Sequence, residues 1–225
     1  MNWFKKGFQS MLPILTGVIP FGLVMGTVAS TADLSLSQTM SMNVLVFAGA
    51  AQFVAVELMQ DQALFLIIAF TGCVINLRMI LYSAGIAGLL KGKPFWVKLL
   101  SAYALTDQSY SVLVANKYGL SDTEDTLKYY AGAGVCMILG WQLSVPLGYY
   151  FGNFAPPALS LDFAVPLSFI ALVLPSMKSK AHITVAVFSS IVSILLYSLP
   201  YGLGLVITAL VAMVLGAFLS KARLS

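Results

Sequence analysis

The sequence predicts an all-α, polytopic transmembrane helix bundle, and three observations carry that prediction. The chain is 60% hydrophobic and 9% charged, whereas a soluble domain has about 25% charged residues; so few charges cannot cover a water-facing surface. The apolar residues come in continuous runs, without the period-two alternation of outer-membrane strands, and helices are the other structure that satisfies its own backbone inside a bilayer. Lys and Arg gather in short clusters between the runs, at Lys5/Lys6, Lys91/Lys93/Lys98, Lys178/Lys180 and Lys221/Arg223, where the orienting charges of membrane helices stand. The net charge of +4 is therefore no nucleic-acid footprint, since no basic stripe with interleaved aromatics accompanies it.

Crossing the hydrocarbon core takes about 20 apolar residues. By that measure the segments are 12–32, 40–60, 63–90, 96–116, 129–152, 163–177, 182–199 and 201–220, an expectation of 7–8 spans with some broken or re-entrant. The first run is too long for a cleaved signal peptide and is interrupted by Pro13 and Pro20, so it is expected to be a retained span. The third is long and polar at its middle, and the sixth and seventh are short. The length suits a single membrane domain over 1–225. Between segments, 117–128 is the most polar stretch, and Ser121 with Glu124 fits a capping box. Residues 153–162, with Pro156 and Pro157 and no positive charge, suit a non-cytoplasmic turn. Trp3, Trp96, Tyr129, Tyr130, Tyr149 and Tyr150 fit an interfacial aromatic belt.

Orientation poses a parity problem. If all basic clusters face the cytoplasm, an even number of crossings separates each pair, yet three segments lie between the first and second clusters and three between the second and third. Either one segment in each triple enters without crossing, or one cluster lies outside. Pro20, Gly22 and Gly26 follow a P-x-G-x-x-x-G spacing that recurs at Pro146, Gly148 and Gly152. Matched Pro/Gly interruptions mark the related halves of many transporters, and chance in a Gly-rich membrane protein is the other explanation.

Two charges stand away from the segment ends: Arg78 in CVINLRMILYSAG and Asp107 in YALTDQSYSV. Each costs about 2.5–3.5 kcal/mol at the bilayer centre on insertion scales, so each needs a partner, a cavity or a solute. They form a structural ion pair or line a polar cavity, and the polar neighbours Asn76, Tyr82, Thr106, Gln108, Ser109 and Ser111 exceed what one pair needs. Arg holds a carboxylate through two hydrogen bonds, and Asp accepts from an ammonium group. Together they suit a zwitterion. In the second segment, Gln52 of Phe47-Ala-Gly49-Ala-Ala-Gln52-Phe53 either bonds across a tight helix interface or faces the same cavity. The Pro20/Gly22/Gly26 cluster either frees backbone groups or forms an ordinary kink with close packing.

No enzyme chemistry is expected. There is no P-loop, the single His182 has no nucleophile–acid partners, and Cys73 and Cys136 sit inside apolar runs as small packing residues. Neither a cofactor nor a metal site is called for.

At these residues the chain resembles the AzlC family of branched-chain amino acid permeases. The matching pieces are Pro20-Phe-Gly22 with Gly26, Phe47-Ala-Gly49-Ala-Ala-Gln52-Phe53, Asn76-Leu-Arg78 with Leu81-Tyr82, and Leu105-Thr106-Asp107, in the family's order over roughly residues 10–115. The resemblance implies a multi-pass protein of the bacterial cytoplasmic (inner) membrane. It also implies export of leucine, isoleucine, valine and sometimes methionine, and a separately encoded small hydrophobic AzlD-like subunit as partner. Carried over residue by residue, it makes Gly22, Gln52, Asn76, Arg78, Tyr82, Thr106 and Asp107 the candidate substrate-binding residues. Met79 and Gln108 depart from the family, which often has His and an acid there; both remove a titratable group. A channel or importer for another small solute, or a non-transporting scaffold, are the rival functions.

Overall fold

A computed structural model of the chain describes residues 2–116, 122–152, 177, 179–199 and 203–221. The sixth segment apart from Met177, the 153–162 turn and the Ser121 half of the capping box lie outside the described residues. Within them the chain is helical, with no strand. The helices are α1 (Trp3–Thr31), α2 (Leu36–Leu45), α3 (Gly49–Gln60), α4 (Phe65–Ile75) and α5 (Arg78–Ile86), extended by a 3-10 turn (Ala87–Leu90). They continue as α6 (Phe95–Tyr103), α7 (Asp107–Asn116), α8 (Thr123–Gly152), α9 (Lys180–Leu195) and α10 (Leu203–Lys221).

Among the described residues, α1 and α8 alone are long and apolar enough to cross a membrane unbroken, and α4 with α5 makes a third if taken as one broken span. The sequence expectation of 7–8 spans is thus not met by uninterrupted helices. The apolar runs 40–60, 63–90 and 96–116 each hold two shorter helices, because a hydropathy window averages over a break of two or three residues.

The chain forms two compact units: residues 1–49 with 76–159, and residues 50–75 with 160–225. In the second, α10 packs against α9 and against α4. The first is built on α1 and α8. A Cβ added to Gly7 would strike the Tyr129 carbonyl, one on Gly132 the Phe4 carbonyl, one on Gly26 the Val145 carbonyl and one on Gly148 the Leu23 carbonyl. The glycines therefore let two backbones touch along their length, as small residues do between membrane helices. Partner numbers rise together, from Phe4 with Gly132 through Leu15 with Gly140 to Leu23 with Gly148, so the two helices run in the same direction. The Thr27 hydroxyl donates to the Gly148 carbonyl at 2.9 Å, and Met11, Val18, Met25 and Ala29 are buried in α1.

Pro13 and Pro20 do not interrupt α1, which runs unbroken through both. The Pro20/Gly22/Gly26 cluster is thus a packing seam. A Cβ on Gly22 would meet the Ser144 hydroxyl of α8, and helix packing accounts for Gly22, Gly26 and Gly148 of the two motif copies. Of the residues expected in an aromatic belt, Trp96 and Tyr150 are exposed, whereas Tyr129 and Tyr130 are buried. The Tyr130 hydroxyl donates to the Ser101 carbonyl at 2.8 Å, a partner that draws it inward.

Candidate solute site at the helix breaks

Three of the four sequence motifs coincide with breaks in the helices. Phe47-Ala-Gly49 joins α2 to α3, Asn76-Leu-Arg78 joins α4 to α5, and Leu105-Thr106-Asp107 joins α6 to α7. A break inside an apolar run frees backbone groups, and each needs a partner when no water is at hand.

At the α6–α7 break the partners are local. Thr106 and Ser109 cap α7 reciprocally: the Thr106 amide donates to the Ser109 hydroxyl at 2.9 Å, and the Ser109 amide donates to the Thr106 hydroxyl at 3.2 Å. The Ser109 hydroxyl in turn donates to the Ala104 carbonyl at 2.8 Å. Thr106 is buried, and its hydroxyl serves this cap. Asp107 follows as the first residue of α7, where the helix dipole favours a negative charge.

The α2–α3 break is held by residues far away in sequence. The Tyr103 hydroxyl donates to the Val44 carbonyl at 3.0 Å, and its ring stacks on Phe47 at 5.3 Å. The Gln142 amide donates to the Asn43 carbonyl at 3.1 Å. The Asn43 side chain donates to Gln142 Oε1 at 2.8 Å and accepts from Trp141 Nε1 at 2.6 Å. Asn43 and Trp141 are buried, so this is a closed polar network of the kind that specifies one arrangement. None of Asn43, Tyr103, Trp141 and Gln142 was a sequence candidate. The available signal was Asn43 and Gln142 themselves, polar groups in apolar runs.

The α6–α7 pair is a hairpin. Lys93, just before α6, pairs with Glu124 in the first turn of α8 at 2.6 Å. Further on, Tyr130 reaches Ser101, and a Cβ on Gly134 would lie 2.8 Å from the Ala104 Cβ. So α6 climbs beside α8, and its end is about 16 Å above the start of α8 at 1.5 Å per residue. If α7 continued in that direction it would end about 15 Å higher still. The six residues 117–122 reach about 25 Å at most, too short to return from there to Thr123. Hence α7 turns back, and Asp107 sits at the hairpin's tip.

Arg78, the first residue of α5, meets this tip. Its Nη1 lies 2.5 Å from Asp107 Oδ2, with 36% and 28% of the two side chains exposed. The pair is thus formed, and it is open on one side. Among the described residues Arg78 Nε and Asp107 Oδ1 are buried with no hydrogen-bond partner, and so is Oδ1 of Asn76, two residues before Arg78. Tyr82, one turn along α5 from Arg78, lies within electrostatic reach of both Asp107 and Arg78. Its ring stacks on Tyr110 of α7, with centroids 4.7 Å apart. Arg78, Tyr82 and Asp107 therefore meet, with Asn76 and Thr106 beside them in the chain. Gly22 lies in the α1/α8 seam, apart from that set, and Gln52 is buried in α3 of the second unit.

The AzlC protein family model matches residues 13–155, a stretch that contains all four motifs. An uncharacterised membrane protein of Archaeoglobus fulgidus is 29% identical over 199 residues, covering 85% of this chain and 83% of that protein. The inner membrane protein YgaZ of Escherichia coli is 23% identical over 225 residues, covering 94% and 90%. The branched-chain amino acid transport protein AzlC of Bacillus subtilis is 23% identical over 212 residues, covering 92% and 76%. No solved structure matches the chain significantly. With its membrane-type helices and a family match over more than half its length, the chain belongs to the AzlC family of membrane proteins.

Proposed function

We propose that this chain is the large subunit of a two-component permease of the bacterial cytoplasmic membrane. In this proposal it crosses the membrane several times and exports branched-chain amino acids, and methionine with them, together with a small hydrophobic AzlD-like subunit. The observation that carries the proposal is the set of unfilled polar atoms at the Arg78–Asp107 pair. One donor, Arg78 Nε, and two acceptors, Asp107 Oδ1 and Asn76 Oδ1, are buried without partners among the described residues. A zwitterion complements that set, since its carboxylate accepts from the guanidinium and its ammonium donates to the two oxygens. The existing ion pair uses Nη1 and Oδ2, so the solute binds without breaking it. The first turns of α5 and α7 meet at this point, and their positive ends favour a carboxylate. The name of the Bacillus subtilis relative, a branched-chain amino acid transport protein, supports the choice of solute.

The test is thermal stability of the purified chain, alone and with its co-expressed partner, against a panel of amino acids. A ligand that binds the folded state raises Tm by mass action. Leucine, isoleucine, valine and methionine are expected to stabilise the wild type and to lose the effect in Arg78→Ala. An absence of response to every amino acid, with or without the partner, would remove the permease assignment.

The short Arg78–Asp107 distance favours one rival, a scaffold in which the pair is purely structural. A charge-swapped Arg78→Asp/Asp107→Arg double variant separates the two. Export is expected to vanish while folding survives; a swapped protein that still exports would make the pair structural only.

A further inference from the structure

Tyr110 was not among the residues the sequence singled out, yet its position bears directly on the ion pair. Arg78 and Tyr82 are four residues apart on α5, and Asp107 and Tyr110 three apart on α7, so each tyrosine lies on the face of its helix that carries the charge. The helices start at the same level, joined first by Arg78–Asp107 and one turn later by the Tyr82–Tyr110 stack, at 4.7 Å with the planes 26° apart. Both residues are half-buried. Gly85, a further turn along α5, receives the phenol end of Tyr110: a Cβ there would lie 2.8 Å from Tyr110 Cε2 and 3.0 Å from Cζ. The glycine is what lets the ring lie against the α5 backbone.

We propose that Tyr110, stacked on Tyr82 and seated on Gly85, is the specificity-determining residue of the site and selects the solute by its apolar side chain. The inference rests on the amino-acid assignment above. With the solute's charged ends held by Arg78, Asp107 and Asn76, the apolar surface nearest to them along the α5/α7 seam is this aromatic pair. An aliphatic side chain packs against a ring face with gain, and a solute lacking one gains nothing there. Gly85 sets how close the ring stands to α5 and hence the length of side chain the wall accepts.

The experiment measures midpoint concentrations for alanine, valine, leucine and methionine by thermal stabilisation of the full-length chain, with its partner co-expressed. The readout is the ratio of the alanine midpoint to the leucine midpoint, the preference for leucine, which general destabilisation does not move. Tyr110→Ala is expected to lower that ratio about tenfold, the scale of a lost hydrophobic contact in a selective pocket. Tyr110→Phe, which keeps the ring, is expected to recover most of it. Gly85→Ala is the independent arm: it forces the mobile end of Tyr110 aside without touching backbone, so the protein folds and the ratio shifts several-fold. Gly88→Ala, where an added Cβ meets nothing within 4 Å, is the control and leaves the ratio unchanged. If the wild type responds to amino acids but the ratio is the same in Tyr110→Ala and Gly85→Ala, the selectivity role is overturned and the permease stands. If Tyr110→Ala fails to fold, an unchanged ratio in Gly85→Ala overturns it alone. If no amino acid stabilises the wild type, permease and selectivity role fall together.

Discussion

Arg78 and Asp107 hold each other at 2.5 Å while about a third of each side chain stays exposed. That exposure decides what breaking the pair does. Removing one partner of a fully buried pair costs about 3–5 kcal/mol, and an exposed pair contributes about 0–1; a half-open pair falls between. Asp107→Asn is therefore expected to lower stability by about 1–2 kcal/mol, seen as a modest fall in Tm. Its loss of solute-induced stabilisation should be complete, because the acceptor charge facing the ammonium is gone. A large Tm loss with ligand response retained would make Asp107 structural. The sequence exposed this pair because a charge inside an apolar run is anomalous wherever it occurs. Tyr110 carried no such mark, since tyrosine is at home in a membrane protein. Only its stack on Tyr82 and its seat on Gly85 bring it to the site.

The helices are held by two different devices. Along α1 and α8 it is the absence of side chains: a Cβ on Gly148 would land on the Leu23 carbonyl, and backbone cannot step aside as a side-chain tip can. Gly148→Ala is thus expected to destabilise by about 1–3 kcal/mol. Gly17→Ala, on the partner helix α1, meets nothing within 4 Å and should stay within about 1 kcal/mol of wild type, since Ala is the better helix former. Paired thermal melts check the contrast, and equal effects would mean that the seam does not bring the backbones together. At the α2–α3 break the device is a polar network. Asn43→Leu leaves Trp141 Nε1 and Gln142 Oε1 without the partners that Asn43 supplies, which costs about 1–3 kcal/mol per stranded group. The variant should melt lower than wild type by more than Asn116→Leu does, whose amide bonds only the carbonyl four residues back in its own helix. The motif Phe47-Ala-Gly49 was legible as a place of close approach. That it ends one helix and opens another was not, because the groups that satisfy the freed carbonyls come from 59 and 99 residues away.

Across the whole molecule, the hairpin bears on the parity problem posed by the basic clusters. Lys5 and Lys6 precede the end of α1 where Gly7 meets Tyr129, and Lys93 pairs with Glu124 one to two turns before Tyr129 on α8. The first and second basic clusters therefore lie at the same end of the α1/α8 pair. With α6 and α7 doubling back, the run 96–116 has the form of a segment that enters without crossing. Single cysteines at Lys5 and Lys93, in a Cys73→Ser/Cys136→Ser background, are expected to react with a membrane-impermeant thiol reagent from the same face. Labelling from opposite faces would overturn the hairpin.

The sequence by itself determined the solvent, the helical class and the two anomalous charges. All of these follow from composition and from residue types whose cost in hydrocarbon does not depend on neighbours. Only the tertiary structure decided where the apolar runs break, that α1 and α8 run in the same direction, that Pro20 leaves α1 intact, and that α6 and α7 turn back with Asp107 at the tip. The physical reason is the range of the forces involved. Hydropathy is a local average that survives a gap of two or three residues, whereas a break in the hydrogen-bond ladder is stable only if something far along the chain takes up the freed groups. Tyr103 does so for Val44, and Gln142 for Asn43.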